Sequence, residues 1–312
     1  MFPAERSGSM SPANNICRLT AILVWLFITV VCVSAQGPDT TPKPTGNGIS
    51  LAPARVELEM QPGSETTVVI TLDYHTTSSS SQPVRIVASL NDWTIDRDGQ
   101  VTFERANTLP NSASPWLIYS PAETTVIPGN LHAIRVTVSV PKDAAPGDHL
   151  TALIVEQRPD NIKLNENRRQ MVIRYRMAAV FYIKVPQLRR QGSLEGLRAE
   201  TKDDQILVTP LLKNSGNSVI RPLTSLQVTD RAGLSVAELP QKEYLPLLGG
   251  AELAQPLVLE SRLAPGTYMV KYRVDFQDGS RPTEGVTELV IPASQRTSSG
   301  PTTRAVIPVS NE

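Results

Sequence analysis

The feature that most limits what this chain can fold into is a repeated grammar of short β-branched runs, each alternating apolar with polar residues and each closed by a turn signal. Val56, Leu58 and Met60 alternate with Arg55, Glu57 and Glu59, and Ile134, Val136, Val138 and Val140 share one parity after Pro128-Gly129. Tyr268, Val270, Tyr272, Val274 and Phe276 alternate in the same way with Met269, Lys271, Arg273 and Asp275. A period of two puts successive side chains on opposite sides of an extended backbone, so each run reads as a strand with one face to bury. Pro62-Gly63, Asp98-Gly99, Pro146-Gly147, Pro265-Gly266 and Asp278-Gly279 supply the turns between them. The 26 prolines among 312 residues argue against long uninterrupted helices, because an interior proline removes a hydrogen bond and clashes with the preceding turn.

The runs fall into two blocks. In the first, residues 49–186, strands are expected over 54–60, 66–72, 84–90, 93–95, 101–103, 116–119, 124–127, 133–140 and 150–156. A long final run covers 171–185 and stops at Pro186, which has no N–H to continue a ladder. In the second, residues 187–292, strands are expected over 194–200, 205–213, 225–229, 257–259, 268–276 and 285–291. A single amphipathic sheet cannot cover its own apolar face, and two sheets packed together can. The predicted fold is therefore all-β, a pair of β-sandwich domains in tandem. Between two strands of the first block, the charged and amide-rich stretch 158–169 reads as a mobile loop. Residues 36–48 are rich in Pro and Thr and read as a flexible lead-in, and 293–312, rich in Ser, Thr and Pro, as a disordered tail.

The first 35 residues have the make-up of a secretory signal peptide. Arg6 and Arg18 precede the apolar run 19–33, and Val33-Ser34-Ala35 presents compact residues where a signal peptidase cuts, so cleavage is expected after Ala35. The run is short for a membrane span and a polar stretch follows at once, so no stable membrane anchor is expected after cleavage. Both cysteines, Cys17 and Cys32, lie in this leader, which leaves the exported chain without thiols for a disulfide or a metal. Basic and acidic residues balance at 30 each, and losing Arg6, Arg18 and Glu5 barely disturbs this. Bulk charge therefore recruits neither nucleic acid nor an anionic membrane surface.

Signals for catalysis are absent. His75, His132 and His149 show no local metal-ligand spacing, no serine sits in a G-x-S-x-G elbow, and no phosphate-binding or dinucleotide glycine loop occurs. Carboxylates such as Glu57 and Glu59 alternate with apolar residues as the wet side of a strand, and Asp96 and Asp98 belong to a turn. The reading is of a protein that is not an enzyme and carries no metal or cofactor. Trp93 is expected in a sandwich core and Trp116 in a core or over a sheet edge, with an exposed glycan-binding tryptophan as the alternative role.

Several short motifs, in order, resemble the periplasmic pilus-assembly chaperones of the PapD type and their less specialised exported relatives. They are Pro53-Ala54-Arg55-Val56-Glu57-Leu58, Ser120-Pro121, Ile127-Pro128-Gly129, Ile134-Arg135-Val136, Val180-Phe181-Tyr182 and Leu212-Lys213-Asn214-Ser215-Gly216-Asn217. The resemblance spans residues 49–292 and implies two immunoglobulin-like domains, a periplasmic location and binding to an exported protein subunit or surface-fibre component in pilus assembly. It further implies that two basic residues between the domains hold a subunit's terminal carboxylate, while the last long strand of the first domain pairs with the subunit's open sheet.

Carried onto this chain, the anchor is Arg55 with Arg176, the nearest basic residue before the Phe-Tyr pair; Lys184 follows that pair. A guanidinium can grip a carboxylate through two parallel bonds. The pairing edge is 171–185, with Val172, Arg174, Arg176, Ala178, Val180 and Tyr182 on the face offered to a partner, and Met171, Ile173, Tyr175, Met177, Ala179, Phe181 and Ile183 turned into the domain's core. The alternative reading is a structural or adhesion-type tandem sandwich, secreted or at the cell surface, that binds a protein or glycan through loops such as 158–169.

Overall fold

The computed structural model describes residues 48–76, 82–158, 175–202, 205–260 and 263–292. The leader, the lead-in up to residue 47, most of the 158–169 loop, Val172, Arg174 and the tail lie outside these residues. Among the described residues, ten strands precede residue 186: β1 (Gly48–Ala52), β2 (Arg55–Glu59), β3 (Glu65–His75), β4 (Val84–Ile95), β5 (Val101–Arg105), β6 (Leu117–Ser120), β7 (Glu123–Val126), β8 (Leu131–Ser139), β9 (Gly147–Arg158) and β10 (Arg176–Val185). They form two sheets, one ordered β1-β3-β8-β6 and the other β2-β10-β9-β4-β5, with β7 also on β4. The chain thus begins in one sheet and changes to the other. β1 pairs antiparallel with β3, and β2 pairs parallel with β10. Pro53, between them, has no N–H to extend the first ladder.

The expected alternation places the core. Ile70 and Leu72 of β3, Ile134, Val136 and Val138 of β8, and Ala179, Phe181 and Ile183 of β10 are buried together between the two sheets. Asp92 of β4 is buried at one end of this core and secures the segment that follows β5. Its Oδ1 accepts from Ser112 Oγ (2.6 Å) and Ser114 Oγ (2.5 Å), and its Oδ2 from the backbone N–H groups of Thr108 (2.8 Å) and Leu109 (2.9 Å). Burial alone raises a carboxyl pKa, but these donors outweigh it and hold Asp92 below its ordinary value.

Eight further strands follow among the described residues: β11 (Gly192–Lys202), β12 (Gln205–Asn214), β13 (Leu223–Thr229), β14 (Ser235–Glu243), β15 (Glu252–Leu253), β16 (Leu257–Leu259), β17 (Gly266–Asp275) and β18 (Thr283–Ile291). They make a sheet of β11, β12, β15 and β16 and a second ordered β14-β13-β17-β18. The molecule is all-β, with two immunoglobulin-like sandwiches in tandem. β14 departs from the sequence reading, which has no strand there. Its nine residues are mostly exposed, so no clean alternation betrays it, and its pairing to β13 is broken by register shifts.

The two sandwiches do not keep separate cores. Trp93 and Ile95 of β4, Leu150, Ala152 and Ile154 of β9, and Tyr182 of β10 are buried in one apolar cluster with residues of the second sandwich such as Leu226, Val270 and Tyr272. β9 is consequently buried on both faces, which explains why Leu150 to Val155 reads as an apolar run broken only at Thr151 rather than as an alternation. Asn217 ties the junction with nearly every polar group it has. Its carbonyl accepts from Asp148 N–H (2.9 Å), its N–H donates to the Arg189 carbonyl (2.9 Å), and its Oδ1 accepts from Arg189 N–H (2.6 Å). Gly147 permits this approach. It sits at φ +124°, and a Cβ there would meet the Asn217 carbonyl oxygen at 2.8 Å.

Candidate binding cleft

Arg55 and Glu57 stand on the same side of β2, two residues apart. The parallel register sets Arg55 beside Val180, Glu57 beside Tyr182 and Glu59 beside Lys184, so these side chains share the face turned toward the second sandwich. Opposite them, Arg221 leads into β13. Its backbone is held on both sides: Ile220 exchanges hydrogen bonds with Leu247, the Pro222 carbonyl accepts from Tyr244 N–H (2.8 Å), and Gln277 Nε2 donates to the Arg221 carbonyl (2.6 Å).

Three cations from three chain segments converge on the Glu57 carboxylate. Lys184 Nζ donates to Oε2 (2.7 Å), Arg221 Nη2 donates to Oε1 (2.8 Å), and Arg55 Nε lies 3.4 Å from Oε1. Lys184 is the most enclosed, with its side chain 9% exposed, against 18% for Arg221 and 52% for Arg55. Arg221 also stands over the Tyr182 ring, Cζ to centroid 5.2 Å, and is 3.8 Å from Glu243. Burial tends to raise the Glu57 pKa, but hydrogen bonds and charge from Lys184 and Arg221 prevail and lower it. Beside the carboxylate is a cavity of about 210 Å³ bordered by Lys184, Arg190, Arg221 and Gln277, with Glu243 also on its wall. Such a set of donors suits an anion with a planar pair of oxygens.

The residues expected from the sequence divide. Arg55 is in the cleft. Arg176 is not: it opposes Glu156 at the start of β10, four residues before the partner of Arg55, or about 13 Å along a strand, and its guanidinium lies 6.0 Å from the Phe103 ring centroid. The anchor expected as Arg55 with Arg176 is therefore separated, and Lys184 and Arg221 take the places beside Arg55. Ala178 and Val180 are half-buried against the shared apolar cluster. Tyr182 is 2% exposed, edge-on to Trp93 at 5.3 Å between ring centroids, and so is not presented on an open face. Burial raises its phenol pKa.

The free edge expected over 171–185 is also shorter than the sequence suggests. β9 pairs along all of β10, and β2 occupies the other side over residues 180–184. The Val180 N–H already donates to the Ala54 carbonyl (2.9 Å), which shows that even-numbered residues of β10 turn their backbone groups toward β2. Over residues 176–179 no strand among the described residues pairs on that side.

Sequence reasoning underrated Lys184, although a lysine within Phe181-Tyr182-Ile183-Lys184-Val185 is a signal in itself, since lysine is rarely buried without a partner. Arg221 gives no such signal, being 164 positions from the carboxylate it holds. Among the described residues no group of three or more His, Cys, Asp or Glu side chains could hold a metal, and no helix is long and apolar enough to cross a membrane.

No protein-family model matches the sequence, and no curated protein matches it. Solved structures with some similarity include a chain of the chaperone–tip adhesin complex of CFA/I fimbriae biogenesis, at 10% identity and TM-score 0.42, covering 79% of this chain and 100% of that one. Others are a chain of the CsuC–CsuE chaperone–tip adhesion subunit pre-assembly complex of Acinetobacter baumannii (15%, TM-score 0.37, 78% and 98% covered) and the Pseudomonas aeruginosa CupB2 chaperone (13%, TM-score 0.37, 76% and 97% covered). All of these similarities are distant.

Proposed function

We propose that the protein is a periplasmic chaperone-like binder of exported β-rich chains, with a surface-fibre subunit as the type of client. One observation carries the reading: the unpaired side of β10 at residues 176–179 ends where β2 begins, and β2 begins with Arg55. A visiting strand laid in line with β2 and parallel to β10 finds the outward backbone groups of Arg176 and Ala178 unclaimed by any strand among the described residues. Its C-terminus then arrives at Arg55, with Arg221 and Lys184 behind. Backbone pairing supplies affinity and the charge at the end supplies register. The ordered motifs from Pro53 to Asn217 support the same reading, and the expected export signal places the protein with such clients.

Tagged protein isolated with its periplasmic contents should carry a β-rich subunit, and Arg55→Ala or Arg221→Ala should reduce the amount captured at least tenfold. Recovery of no such subunit, with neither substitution having any effect, would overturn the proposal. The exported protein should also begin at Gln36 by mass measurement.

A further inference from the structure

Glu57 is an unusual residue to find at the centre of a site for carboxylates, because it is one. Its oxygens already take a hydrogen bond from Lys184 and one from Arg221 and lie beside Arg55. The cavity adjoining it is large enough for a second carboxyl group, but two of the three cations on its wall, Lys184 and Arg221, are those Glu57 engages. Lys184 cannot be left alone, since an enclosed ammonium needs a counter-ion.

We infer that Glu57 is an internal occupant of the anion seat, which a client's terminal carboxylate must displace, and that it thereby sets the threshold for binding. The inference rests on the reading above. The seat holds one full carboxylate at a time, because two side by side would repel at close range. In the resting protein Glu57 satisfies Lys184 and joins the two sandwiches through Arg221. When a chain arrives along β10, its carboxylate takes over Arg55 first, the most exposed of the three, and Glu57 yields the remaining donors. Only a chain that also gains backbone pairs along 176–179 has enough to offer, so stray small anions are excluded.

The test is Glu57→Gln, which keeps the shape and removes the charge. Binding is measured by NMR at the Ala178 amide and Lys184 Nζ, using an acetylated hexapeptide of alternating Val and Thr with a free C-terminal carboxylate, and the same peptide ending in an amide. Glu57→Gln should bind the acid at least tenfold more tightly than the unaltered protein and the amide no differently. Glu284→Gln, which removes a charge of the second sandwich that pairs with Lys271 and does not border the cavity, should behave like the unaltered protein. If both proteins favour the acid by the same factor, or Glu284→Gln gains as much as Glu57→Gln, the internal occupant is refuted while carboxylate anchoring stands. If neither protein distinguishes acid from amide, the anchoring itself fails. Should Glu57→Gln not fold, Glu57→Asp, with the charge withdrawn by one methylene, must show the same preference to a smaller degree or the inference is lost.

Discussion

Two buried aspartates show how the surroundings of a single residue decide its effect. Asp92 has four donors and its pKa lies below 3.8, so its contribution to stability is complete above that value and is lost as pH falls through the folded pKa. Asp148 is buried at the junction with fewer partners: Oδ2 accepts from Val219 N–H (2.6 Å) and Ser218 Oγ (3.2 Å), while Oδ1 has none. Desolvation prevails and raises its pKa above 3.8. The sign is then reversed, with its contribution fully present below 3.8 and lost as pH rises through the folded value. Urea unfolding should therefore show the stability of the unaltered protein, relative to Asp148→Asn, falling as pH is raised from 4 to 7. A difference that grows over this range would contradict the assignment.

At the scale of the element, β10 has two chemically distinct backbone sides, and proline can tell them apart. Ala178 directs its N–H away from β9 at a position β2 does not reach, whereas the odd-numbered Ala179 directs its N–H toward β9. Ala178→Pro should leave thermal stability within about 1 kcal/mol, as proline is tolerated on an edge, but should abolish strand addition by a client peptide. Ala179→Pro should cost about 3 kcal/mol or more in the same denaturation measurement, because it removes a ladder bond inside the sheet and places a ring in a fully buried position. Equal stability of the two variants would mean that the register of β10 is different. How much of β10 is open to a partner was not legible in its own residues: the strand that closes 180–184 comes from the far end of the block, after the crossing at Pro53.

For the whole molecule, the merging of the second core with the outer face of the first has a thermodynamic consequence. Trp93, Leu150 and Tyr182 are nearly inaccessible and packed in one apolar cluster with residues of the second sandwich. Removing it would expose large apolar surface at roughly 25 cal/mol for each Å². The sandwiches should therefore unfold in a single calorimetric transition, and Leu150→Ala, costing about 2–5 kcal/mol, should lower that transition without splitting it. Two well-separated transitions in the unaltered protein would show that the shared cluster contributes little to coupling. Arg221 is positioned for Glu57 by this same junction, so a loosened interface should weaken carboxylate binding as well as stability.

The sequence by itself determined the class of fold, the two blocks, most strands and the inward face of β10, because period-two alternation and proline-glycine turns act over a few neighbouring residues. It also marked Arg55. Only the tertiary structure decided that Arg176 stands apart, that Lys184 and Arg221 meet at Glu57, and that β2 closes residues 180–184 of the expected edge. Those outcomes depend on pairings and packing between segments far apart in the chain, and no local pattern records which distant charge or strand a residue will face.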